Sequence, residues 1–161
     1  LRELTRFQVP VWLYRYNWNQ CPEQAVKEFH IAMVNLEIEN PQLDSLWVIG
    51  HSYGGLIVAL LAEKWDQELP LAIHAIASAM TGSSRSEKLC GFSKQSGYVI
   101  ANNVHFTQWR TVHAQDGAFR RMEVDPQITT IDRGTIQQLP EIWGELRLGH
   151  NLSIKWVCNN L

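Results

Sequence analysis

The stretch Leu46-Trp47-Val48-Ile49-Gly50-His51-Ser52-Tyr53-Gly54-Gly55 decides the reading of this chain. Four apolar residues form a buried-strand pattern, and the glycine-rich turn after them leads into Leu56-Ile57-Val58-Ala59-Leu60-Leu61-Ala62, a run of helix formers. A G-x-S-x-G sequence between a strand and a helix is the context of a nucleophile elbow, the tight turn that lifts a serine hydroxyl clear of the sheet. Gly50 and Gly54 lack the Cβ atoms that would clash across so sharp a bend, and Gly55 leaves room for the helix to pack. Ser52 is therefore the expected nucleophile, and it needs a base within hydrogen-bond reach to become reactive.

Strand and helix patterns extend on both sides of the elbow. Upstream, Val9 to Tyr16 is rich in β-branched and aromatic residues and predicts a strand. Pro22 then opens a helix in which Ala25, Val26, Phe29, Ala32, Met33 and Leu36 recur at helical spacing. Downstream of the elbow helix, Leu71 to Ala77 and Val104 to Trp109 predict strands, and Ile128 to Gln138 holds another. A last helix is expected just after His150. Alternating strands and helices with right-handed crossovers give an α/β domain with a mostly parallel sheet, helices covering both faces. The Ser- and Gly-rich segment 81–97 reads as a lid or substrate loop, with a disordered surface loop as the alternative.

The 161 residues are 45% hydrophobic, which suits one globular domain. Fourteen basic and 16 acidic side chains leave a formal charge of −2 with no basic patch, so no nucleic-acid partner is expected. No run approaches the roughly 18 apolar residues of a membrane span, and Leu1 to Arg6 does not read as a signal peptide. The expectation is a cytoplasmic protein. Cys21, Cys90 and Cys158 form no C-x-x-C pair, so reduced cysteines are the default, with one disulfide as the alternative, and no structural metal is expected. The seven tryptophans read mostly as core or groove residues.

Elbow serines take their partners in the chain order serine, acid, histidine. Asp116, next to Gly117 and shortly after the strand ending near Trp109, fits the acid, with Asp125 and Asp132 as competitors. His150 lies in the glycine-loosened loop Arg147-Leu148-Gly149 before the last helix and fits the general base. His113 is the alternative base, although it precedes Asp116. His30, His51 and His74 suit structural roles, with the His51 side chain directed away from that of Ser52. A metal site built from His105, His113 and Asp116 matches no compact ligand spacing.

Gly50 to Gly55, read as G-H-S-x-G-G, together with Asp116 and His150, resembles the α/β-hydrolase superfamily, in particular its small serine esterases and lipases. The resemblance covers nearly the whole chain. It implies ester hydrolysis through an acyl-serine, without a cofactor, on a small-molecule acyl ester: Ser52 attacks, His150 shuttles the proton and Asp116 orients His150. It also implies that the Tyr53 N–H is one oxyanion donor and that a loop after an earlier strand supplies the other. Only Leu1 to Gln8 precede the first expected strand, and they contain no H-G pair. The chain also begins on leucine, so the expectation is a shortened domain lacking that strand and loop. The loop Tyr16-Asn17-Trp18-Asn19 is the alternative source of the second donor, and a degenerate member of the superfamily is the third reading. A thioesterase or acyltransferase on the same fold, and a non-catalytic hydrolase-like interaction domain, are the competing functions.

Overall fold

Pro22, at the first helical position where a missing N–H costs nothing, starts helix α1 (Pro22–Glu39) in the computed structural model, which describes residues 9–161. The elbow strand β1 (Leu46–His51) leads into α2 (Tyr53–Lys64), and β2 (Leu71–Ile76) follows. After α3 (Ser84–Cys90) come β3 (Tyr98–Val99) and β4 (Val104–Arg110). Next are β5 (Ile131–Asp132), β6 (Gly134–Gln138), the antiparallel pair β7 (Ile142–Trp143) and β8 (Leu146–Arg147), and α4 (Gly149–Asn160).

The central sheet is parallel, in the order β1-β2-β4-β6, as expected of an α/β chain whose strands are joined by crossovers. Its register brings His51 level with Ile76, and Ile76 level with Trp109. The carboxyl ends of three strands thus form one edge, where loops of a parallel sheet collect functional groups.

One face of the sheet carries the main core. Leu46, Val48, Leu71, Ile73, Ala75, Val104 and Phe106 alternate inward and meet α2, and α1 packs outside through Ala25, Val26, Phe29 and Met33. The opposite face has a smaller cluster, in which Ile76, Ala77, Leu139, Leu148 and Val157 bring α4 against the carboxyl end. Toward the amino end of that face the cover stops, and Trp47 is 55% exposed. Coverage of both faces is therefore uneven.

Two expectations are corrected. Val9 to Tyr16 is not a strand: it takes no place in a sheet, and Val9 and Leu13 are 58% and 60% exposed. β-propensity describes fit to a pleated, half-buried surface, and this segment has no ladder to join. Aromatic contacts hold it instead, with Tyr14 4.7 Å from Phe29 and Tyr16 6.0 Å from Tyr53 between ring centroids. The second correction concerns the cysteines. Cys21 and Cys90 form a disulfide across 69 positions, tying the start of α1 to the end of α3, while Cys158 is buried outside that bridge. The readings of Leu1 to Gln8 lie outside the described residues. Segment 81–97 contains α3 and is anchored by that disulfide.

Candidate active site

Ser52 sits between β1 and α2 with φ 56° and ψ −122°, a conformation that costs a non-glycine residue about 1–3 kcal/mol. The surrounding backbone enforces it. The Ser52 N–H donates to the Ile76 carbonyl at 2.9 Å, and the Ser52 carbonyl accepts from the Gly55 N–H at 3.1 Å. A Cβ on Gly50 would collide with the Gly54 carbonyl, and one on Gly55 with the Ser78 hydroxyl, so the turn closes only on glycine at both positions.

Three side chains from different parts of the chain then meet in line. The Ser52 hydroxyl donates to His150 Nε2 at 3.0 Å, and His150 Nδ1–H donates to Asp116 Oδ2 at 3.1 Å. These bonds select the tautomer with the proton on Nδ1, leaving Nε2 free to accept the serine proton. His150 is the second residue of α4, one step inside the helix rather than before it. Its ring packs against His51, at 4.8 Å, and meets Phe119 in a T-shaped contact at 5.1 Å.

Asp116 closes the short 3-10 turn His113–Gln115 after β4 and is fully buried. Its Oδ1 accepts the N–H groups of Ala118 at 2.8 Å and Phe119 at 3.2 Å, and its Oδ2 accepts the Thr111 hydroxyl as well as His150. Burial pushes the carboxyl pKa up. The hydrogen bonds from His150, Thr111 and Ala118, with the attraction of His150, outweigh it and hold Asp116 below the usual carboxylate range. Thr111 is fixed in turn by buried Gln127, whose Oε1 accepts the Thr111 N–H at 2.9 Å and whose Nε2 donates to the Thr111 carbonyl at 3.0 Å.

The competing residues lie elsewhere. Asp125 accepts the Gln127 N–H at 3.0 Å as a turn former, and Asp132 is an exposed residue of β5. His113 donates from Nε2 to the Phe119 carbonyl at 2.8 Å and so pins the acid loop. His74 accepts from Trp109 Nε1 at 3.2 Å, and His30 stands 3.2 Å from Asp66. Among the described residues no group of three or more His, Cys, Asp or Glu could hold a metal.

The other wall of the site comes from the loop before α1. The Tyr53 hydroxyl donates to the Gln20 carbonyl at 2.6 Å, and a Cβ on Gly54 would come within 3.3 Å of the Tyr16 hydroxyl. Burial raises the Tyr16 pKa, so the phenol stays protonated and able to donate. Arg85 of α3 bonds Asn19 and lies 5.1 Å over the Trp18 ring, and Cys90 completes the clamp through Cys21. As the first residue of α2, Tyr53 has an N–H without an intrahelical acceptor. Sequence reasoning missed Thr111, Gln127 and Phe119, for which no local pattern gives a signal.

No protein-family model, no curated protein and no solved structure matches this chain.

Proposed function

We propose that this protein is a serine hydrolase that cleaves carboxylic esters through an acyl-serine intermediate. The observation that carries this reading is the continuous hydrogen-bonded line from Ser52 through His150 to buried Asp116, on a serine whose backbone is held at φ 56°. Ser52 Oγ attacks the ester carbonyl carbon while its proton passes to His150 Nε2. Asp116, ionised and already bonded to Nδ1–H, stabilises the imidazolium that results. Collapse of the tetrahedral intermediate expels the alcohol, which takes the proton from His150. Water then attacks the acyl carbonyl, gives its proton to Nε2, and releases the acid as Ser52 recovers its hydrogen.

The oxyanion of each tetrahedral intermediate is received by the Tyr53 N–H. The second donor in this account is the Tyr16 hydroxyl, which lies close beside Gly54 at the turn after Ser52. The disulfide favours an oxidising compartment over the cytoplasmic one that the sequence suggested. Among the described residues no helix is long and apolar enough to cross a membrane.

Turnover of short-chain p-nitrophenyl esters, compared with an acyl-CoA thioester, tests the reaction class. Ester hydrolysis that disappears in Ser52→Ala supports the reading. A clear preference for the thioester moves the protein to the thioesterase alternative, and turnover that survives Ser52→Ala removes the serine mechanism.

A further inference from the structure

We infer that His51, the residue immediately before the nucleophile, is a positioning residue that sets the distance between Ser52 and its base by holding His150 through the main chain. This inference builds on the hydrolase reading and names a part of the same site. His51 Nε2–H donates to the His150 carbonyl at 2.9 Å, while the neighbouring Ser52 hydroxyl bonds the His150 ring at 3.0 Å. Two consecutive residues at the end of β1 therefore grip one residue of α4 at both its backbone and its side chain. The Ser153 hydroxyl donates to the same carbonyl, so that oxygen has a partner on each side.

The physical need for this grip lies in how α4 reaches the sheet. α4 joins the hydrophobic core through the small second cluster, and the segment leading to it turns at Gly144 (φ 62°) and Gly149 (φ 49°). Neither a small core nor a glycine-hinged approach fixes a helix to the tenths of an ångström that proton transfer requires. A direct bond from the residue next to the nucleophile does so by the shortest route. The 4.8 Å contact between the two imidazole rings adds a packing restraint. Burial lowers the His51 pKa, which favours the neutral ring, with one N–H to donate.

His51→Phe keeps a ring of similar breadth and removes the donor, whereas His51→Gln keeps an amide N–H at the end of a side chain of similar reach. With p-nitrophenyl butyrate as substrate, His51→Phe is expected to lower kcat by about tenfold or more with KM changed less than twofold, and His51→Gln to recover most of the loss. Equal kcat in His51→Phe and wild type, or His51→Gln no better than His51→Phe, overturns the inference. Imidazole 15N spectra provide a reading that needs no turnover. The inference expects the Nε2–H tautomer of His51 in the wild type and displaced His150 imidazole signals in His51→Phe. A wild-type Nδ1–H tautomer, or His150 signals unmoved by the substitution, overturns it even if no ester is cleaved. A wild type that shows the expected spectra and cleaves no ester removes the hydrolase reading and leaves the bond between His51 and His150 established.

Discussion

The two walls of the site are built by different means. The acid-base wall, from Thr111 through Asp116 to His150, is a buried network in which each carboxylate oxygen has two donors and the supporting amide of Gln127 is itself bonded. The opposite wall, from Tyr14 to Cys21, has no helix or strand and is held by ring contacts, by side-chain bonds with Tyr53, Glu28 and Arg85, and by one disulfide. Hydrogen bonds in a buried network fix direction as well as distance, while ring contacts tolerate sliding. On the proposed reading, the proton relay sits on the hydrogen-bonded wall and the second oxyanion donor on the wall held largely by ring contacts.

Asp116→Asn attacks the hydrogen-bonded wall and should have the largest effect. An asparagine amide turned toward Nδ1 imposes the wrong tautomer on His150, and kcat for a p-nitrophenyl ester is expected to fall by about 10⁴ with the fold intact. A loss of less than tenfold would mean that the acid wall does not orient the base. Tyr16→Phe separates packing from chemistry on the other wall, because phenylalanine keeps the stack and drops only the hydroxyl. A fall in kcat of about 10² is expected if Tyr16 donates to the oxyanion, and unchanged kcat would leave that wall a purely packing surface.

The paired substitution Cys21→Ser with Cys90→Ser should act on stability more than on chemistry. Denaturant unfolding is expected to show a loss of about 2–4 kcal/mol, with kcat within a few-fold of wild type. A kcat collapse in protein that remains folded would mean that the clamp between α3 and the loop is part of the chemistry. The smallest effect concerns pH. Burial lowers the pKa values of His51 and His74, so the unfolded chain binds protons more readily than the folded one. The stability tied to these two rings is complete above their unfolded pKa of about 6.5 and is lost as pH falls from there through their folded values. Tm is therefore expected to decline from pH 7 to pH 5, and less steeply in His51→Gln. Asp116, held low, contributes stability that is lost only below its unfolded value of about 4.

What the sequence discloses follows from how local each signal is. The elbow is legible because ten consecutive residues carry both its strand and its turn. The places of Asp116 and His150 could be read because chain order and flanking glycines mark their loops. Thr111, Gln127 and the bond from His51 to His150 were not legible, since each arises only when elements far apart in the chain pack together. The pairing of Cys21 with Cys90 is of the same kind, as two cysteines 69 positions apart carry no spacing signal. Val9 to Tyr16 misled for the opposite reason: its composition suits a strand, and composition cannot supply the neighbouring strand that a ladder needs.

Intact-mass analysis after exposure to a fluorophosphonate, which labels a serine only when its hydroxyl is activated, tests the site without knowledge of the substrate. One adduct per chain is expected, absent in Ser52→Ala and strongly slowed in His150→Ala. Folded wild-type protein that takes no adduct, or an adduct that persists in Ser52→Ala, would contradict Ser52 as a nucleophile activated by His150.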